Sequence, residues 1–212
     1  MIRIQTFVFN HIEVNTYVVS APNNDCVIID PGCYGLVEEK KLDDYVAQNK
    51  LNVVKLLLTH GHIDHIVGIA HVEDTYKTPA FMHTDGADFL RASVGYASVF
   101  GFELQRVVKP GGFLTDNEVI RFGDIDMKVV HTPGHAAGSV CFVCEAEKLL
   151  FTGDVLFCDS IGRTDLPTGD YDVLMHSIKT KLFTLSDNFT VYPGHGSTTS
   201  IGCERENNPF IR

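Results

Sequence analysis

Apolar side chains run nearly unbroken through Val53, Val54, Leu56, Leu57 and Leu58 and stop at Thr59, the pattern of a buried strand that ends in a polar loop. Residues 3–9, 16–19 and 27–30 also read as strands, followed by a helix in which Leu42, Tyr45, Val46 and Asn49 fall at helical spacing. Beyond the polar loop, residues 66–70 are expected to form the first turns of a helix, and 84–102 to be helical with interruptions at Gly95 and Gly101. In the second half, residues 119–122 and 125–131 flank Gly123-Asp124, and 139–145 pairs with 148–152 across residues 145–147, so two hairpins are expected. Leu174, Ile178 and Leu182 recur every fourth residue, which makes 170–185 an amphipathic helix covering one face of a sheet. Each half therefore reads as strands followed by helix, an α/β chain, and patterning alone leaves several α/β arrangements open.

At 212 residues with 44% hydrophobic positions, the chain is long enough to bury a full core as one domain spanning 1–212. A net charge of −10 opposes nonspecific attraction to nucleic acid or to acidic membrane surfaces, so neither is an expected partner. The first residues, Met1-Ile2-Arg3-Ile4-Gln5, already alternate like a strand without a charged-then-apolar leader, and no apolar run approaches the roughly 18 residues of a membrane span. A cytoplasmic protein with reduced thiols is expected. The six cysteines do not form a disulfide framework, and Cys141 and Cys144, three apart on an expected strand, should point to opposite faces.

The loop after the Val53 strand reads Thr59-His60-Gly61-His62-Ile63-Asp64-His65, four strong metal ligands within six residues. Three more candidate ligands each follow an apolar run and sit in or beside a glycine-containing turn: His135 in Thr132-Pro133-Gly134-His135, Asp154 in Thr152-Gly153-Asp154 and His195 in Pro193-Gly194-His195. Such turns aim one side chain off a sheet edge, which is how residues distant in sequence converge on one cleft. Imidazole and carboxylate suit zinc and related divalent ions, and the number of ligands suffices for two of them. Asp64, at the start of a helix, would sit where the helix dipole favours a carboxylate. Asp30 and Thr59 are candidates to hydrogen-bond and orient metal-bound imidazoles, with a turn role before Pro31-Gly32 the competing reading for Asp30. His11, His71, His83, His131 and His176 lack such settings and are expected to be ordinary surface or core histidines.

This ordered set of motifs resembles the metallo-β-lactamase superfamily and, within it, the short glyoxalase II-like hydrolases. The similarity runs from Asn15-Thr16-Tyr17 to Asn208-Pro209-Phe210 and includes Asp30-Pro31-Gly32 and Ile161-Gly162-Arg163-Thr164-Asp165. The resemblance implies a four-layer αββα sandwich, with His60, His62 and His135 on one metal, Asp64, His65 and His195 on a second, and Asp154 bridging. It implies two divalent ions per chain, zinc first, with iron or manganese also compatible. Asp64 and Asp154 would, as ligands, position a metal-bridging hydroxide. No cysteine stands at a ligand position, which makes antibiotic hydrolysis a poor first expectation.

Two departures from full-length glyoxalase II shape the substrate expectation. Only 17 residues follow His195, so the helical domain that completes the glutathione pocket is expected to be absent. Where that family has Lys-Phe-Tyr, this chain has Arg163-Thr164-Asp165, which leaves Arg163 as a candidate contact for a substrate anion. The expected activity is hydrolysis of a small hydroxyacyl thioester without committed glutathione specificity. The alternatives are a lactone or ester hydrolase, or a single-iron persulfide dioxygenase, a branch that shares a similar Gly-Arg-Thr-Asp segment.

Overall fold

The computed structural model describes residues 2–104 and 106–211 and contains two six-stranded sheets. The first holds β1 (Arg3–Phe9), β2 (Val14–Ser20), β3 (Asp25–Ile29), β4 (Asn52–Leu57), β5 (Ala80–His83) and β6 (Gly112–Leu114) in sequential order. The second holds β7 (Val119–Phe122), β8 (Ile125–His131), β9 (Val140–Cys144), β10 (Leu149–Gly153), β13 (Thr190–Pro193) and β14 (Thr199–Ser200), ordered β14-β13-β10-β9-β8-β7. A small ribbon pairs β11 (Leu156–Phe157) with β12 (Ser160–Ile161). The helices are α1 (Leu36–Gln48), α2 (Ile63–Ile66), α3 (Ile69–Tyr76), α4 (Ala87–Tyr96), α5 (Tyr171–Ser177) and α6 (Ile201–Asn207).

Strand alternation builds the layers directly. In β2 and β3, Val18, Cys26 and Ile28 face the helical side with Leu42 and Val46 of α1, while Tyr17, Val19, Val27 and Ile29 face the second sheet. The second sheet returns Met127, Val129, Phe142, Phe151 and Cys144 into that shared core. Its opposite face, with Cys141, Val143 and Leu150, is covered by Leu174, Ile178, Leu182 and Ile201. The result is the expected four-layer αββα sandwich. Cys141 and Cys144 do lie on opposite faces, and all six cysteines are free.

Several boundaries differ from the pattern reading. The helix expected at 66–70 begins earlier, as α2, and breaks at Val67-Gly68, where the Gly68 N–H turns away to donate to the Pro31 carbonyl at 2.8 Å. Asp170 caps α5 by accepting from the Val173 N–H at 3.0 Å, but the helix widens to a π turn over Ile178–Leu182 that keeps the apolar stripe on the sheet. Residues 84–102 split into short turns around α4, and Gly101 adopts φ 78 at the end, while Gly95 sits within the helix without breaking it. The short strands β5, β6, β11, β12 and β14 and helix α6 carry too little periodicity to be read from sequence. Among the described residues, no helix is long and apolar enough to cross a membrane.

Candidate metal centre

Strand direction brings the candidate ligands to one edge of the sandwich. β3 and β4 run parallel and end at Asp30 and at the Thr59-to-His65 loop. In the other sheet β10 and β13 are parallel, and β8 shares their direction because both β8 and β10 are antiparallel to β9. His135, Asp154 and His195 therefore leave neighbouring strand ends on the same side. Two glycines let the backbones close up there. Gly134 has φ 128, and a Cβ on it would lie 2.2 Å from the Leu174 backbone nitrogen. At Gly194 a Cβ would lie 2.1 Å from Asp154 Oδ1.

All seven candidate ligands come together, as two trios with Asp154 between them. His62 Nδ1 stands 3.1 Å from His60 Nε2 and 2.8 Å from His135 Nε2, and those two Nε2 atoms are 3.3 Å apart. In the second trio Asp64 Oδ2 is 3.1 Å from His195 Nε2 and 3.5 Å from His65 Nε2. Asp154 reaches both, with Oδ1 3.3 Å from His65 Nε2 and Oδ2 3.6 Å from Nε2 of both His135 and His195.

The surrounding groups fix the ring orientations. Asp30, at φ 50 just past β3, accepts from the Thr59 N–H at 2.7 Å and the Thr59 hydroxyl at 2.6 Å, and stands 2.9 Å from His65 Nδ1. The Thr59 hydroxyl, having given its proton to Asp30, is left to accept from His60 Nδ1 at 3.0 Å. His135 Nδ1 donates to the Arg163 carbonyl at 2.8 Å and His195 Nδ1 to the Glu13 carbonyl at 3.1 Å. With their Nδ1 protons given to these acceptors, the four rings turn Nε2 toward the cluster, where a metal ion would take the place of any second proton.

This arrangement fits divalent cations. Because the outer nitrogens of His60 and His135 keep the protons, their Nε2 atoms face one another as lone pairs 3.3 Å apart, and a cation held between them and His62 Nδ1 relieves that repulsion. His65 Nε2 and Asp154 Oδ1 are buried without a hydrogen-bond partner among the described residues. Burial, then neighbouring imidazoles, holds the His60 pKa well below the usual range; burial and then His135 bring His62 to about 4; and burial lowers His135. All three are thus neutral, as metal ligation requires. Burial opposes ionisation of Asp154, but the positive charge of His65, which Asp154, Asp64 and Asp30 hold protonated against its own burial, outweighs it and keeps the carboxyl well below its ordinary value, a charge that a cation at the cluster would replace. Two buried carboxylates, Asp64 and Asp154, then supply the negative charge a cation offsets.

A cavity of about 760 Å³ opens over the cluster, walled by Ile12, Phe89, Tyr96, Phe100, Phe157 and Leu166 and reaching Arg163. The exposed Arg163 guanidinium lies against Asp165, Nε at 2.7 Å and NH2 at 2.6 Å. Sequence reading missed this aromatic wall, which comes from elements without a distinctive motif. It also missed what Asn15 and Tyr17 do. The Asn15 backbone N–H donates to the Gly194 carbonyl at 2.7 Å, and its side chain reaches the Pro193 and Gly196 carbonyls at 3.0 and 2.9 Å. The Tyr17 hydroxyl donates to the Pro193 carbonyl at 2.5 Å. The only available signal was a polar Asn at the start of strand β2, where the structure buries it.

None of the other five histidines joins the cluster. His11 meets the Phe100 carbonyl and His71 meets Asp43. His83 and His131 approach Asp85, but their rings stack 3.9 Å apart at 9°, and parallel rings do not aim two in-plane lone pairs at one ion.

Residues 11–195 match the sequence model of the Metallo-beta-lactamase superfamily. The chain is 34% identical over 201 residues to "Hydroxyacylglutathione hydrolase GloC" of Haemophilus influenzae, covering 94% of this chain and 93% of that one. Its fold is similar to that of BLEG-1 B3 metallo-beta-lactamase, at TM-score 0.90 and 35% identity over 99% of each chain. It is also similar to TTHA1623, crystallised in a di-iron-bound form, at TM-score 0.87 and 30% identity over 97% of this chain and 99% of the other.

Proposed function

Since the chain belongs to the metallo-beta-lactamase superfamily, whose metallo-hydrolase members include close relatives, we propose that it hydrolyses small thioesters with two divalent ions, zinc first. His60, His62 and His135 would hold one ion, Asp64, His65 and His195 the other, and Asp154 both. The observation that carries this reading is the pair of trios flanking one carboxylate, with five imidazoles and two carboxylates turned inward. When bound, such ions lower the pKa of water toward about 7 and polarise a carbonyl.

The chain's own residues do the rest. Asp30 and Thr59 keep the protons of His65 and His60 on the outer nitrogens, so the ligand set stays oriented. Asp64 and Asp154 remain ionised, and the cavity wall shields the reacting carbonyl from bulk water. In the overall reaction the water oxygen joins the carbonyl carbon, the C–S bond breaks with its electron pair on sulfur, and a carboxylic acid and a thiol result. Arg163, at the cavity edge, is proposed to touch the substrate with its guanidinium still paired to Asp165.

The name of the Haemophilus relative supports thioester chemistry. The likeness to a B3 metallo-beta-lactamase favours a second reading, hydrolysis of a cyclic amide. Metal analysis of protein purified without added metal, followed by assays on thioester, lactone and β-lactam with and without oxygen, tests these readings. Two ions per chain and oxygen-independent thiol release from a hydroxyacyl thioester are expected. One iron per chain with oxygen uptake on a persulfide would overturn the hydrolase reading, and β-lactam cleavage without thioester cleavage would favour the second.

A further inference from the structure

Beside the two trios, the cavity offers a substrate almost no charge. The Phe89 ring stands 5.2 Å from the His62 ring at 88°, and the Phe157 ring 6.2 Å from that of His195 at 71°, so an aromatic side chain flanks each trio. Ile12, Phe100 and Leu166 extend this wall. Apart from the candidate ligands, its polar side chains are Tyr96 and Arg163. The Tyr96 hydroxyl points at the Phe89 and Gly61 carbonyls, 3.4 and 3.5 Å away, and burial pushes the phenol up to about 12, which keeps it neutral. The Arg163 guanidinium is gripped through two nitrogens by the Asp165 carboxylate, which offsets its charge where an incoming anion would need it.

A substrate carboxylate laid against this wall gives up water without gaining a free cation, whereas an apolar group gains by burial. We propose that this cavity selects thioesters whose non-reacting part is uncharged and apolar, and disfavours thiols such as glutathione that carry two carboxylates. This rests on the thioester reading. The cavity's roughly 760 Å³ lies within the usual range for sites that enclose a small organic molecule.

The test uses the metal-loaded full chain and one α-hydroxyacyl group carried on two thiols, glutathione and benzyl mercaptan. We expect kcat/KM for the benzyl thioester to be at least about tenfold higher, through KM, as burial of one aromatic group implies. Phe100→Ser should raise KM for the benzyl thioester severalfold while metal content stays the same. Asp165→Asn should release Arg163 and lower KM for the glutathione thioester, with the benzyl thioester unaffected. Equal or better use of the glutathione thioester by the unmodified protein, or no selective gain in Asp165→Asn, overturns the selectivity and leaves thioester hydrolysis standing. Cleavage of neither thioester overturns both.

Discussion

The Asp30 carboxylate lies 2.9 Å from Nδ1 of His65, although 35 positions separate the two residues, and so directs the opposite nitrogen of that ring toward Asp154. Through Thr59 the same carboxylate also governs His60, which makes it a common support for one ligand in each trio. Asp30→Ala should therefore weaken both metal positions. A loss of about 10–100-fold in affinity is expected, read by competition with a chromogenic chelator. Unchanged competition at both positions would show that Asp30 serves the turn alone.

Removal of metal should abolish activity, and re-addition of zinc should restore it. Asp154→Ala should lower the occupancy of both positions together, because its carboxylate stands beside His135 of one trio and beside His65 and His195 of the other, whereas His195→Ala should spare the His60 trio. Metal counted per folded chain for each variant checks this, and two ions retained by Asp154→Ala would refute the shared role.

Gly194→Ala puts a methyl carbon 2.1 Å from Asp154 Oδ1, well inside contact distance. Backbone and carboxylate cannot both stay in place. We expect lost metal occupancy from a protein that still folds, since the turn lies at the sheet edge and not in the inter-sheet core. Circular dichroism alongside metal analysis separates the two effects, and full occupancy in the variant would contradict the close approach.

His83 offers a pH-dependent test away from the metal residues. Burial, and then the imidazole of His131 stacked on it, lowers its pKa from the usual 6.5, while Asp85 and Asp116 act the other way and Lys181 adds to the lowering. The unfolded chain then binds a proton near pH 6.5 that the folded chain binds only at lower pH, so stability falls as pH drops below about 6.5. His83→Gln should lose less stability between about pH 7.5 and 5.5 than the unmodified protein, measured by urea midpoints. Identical losses would show that His83 titrates alike in both states.

The candidate site was legible from sequence to the extent that each candidate ligand is announced by its own chain neighbours. His60, His62, Asp64 and His65 share one loop, and His135, Asp154 and His195 each follow a strand beside a glycine. Strand β9 was equally plain, because burial on both faces leaves it wholly apolar, and β4 showed itself by the apolar run at its buried end. What stayed hidden depends on contacts between distant segments. Asn15 acts on the carbonyls of residues 193, 194 and 196, and nothing in its local setting names those partners. Phe89, Tyr96 and Phe157 line the cavity from segments whose own patterns read only as helix or loop, so their shared destination appears when the sheets are packed. Likewise Arg163 reads as a free cation until Asp165 is seen folded back onto it.

Asn15 and Tyr17 belong to the first sheet, yet their hydrogen bonds end on the turn that carries His195 in the second. The position of His195 is thereby gauged from the opposite wall of the sandwich and not only from its own strand. Any sliding of one sheet over the other is transmitted to that imidazole directly, so the spacing between the halves sets how far His195 stands from Asp64 and His65, which the first sheet supplies. A substitution deep in the inter-sheet core, far from any ligand, can then detune the centre by altering how the two sheets seat.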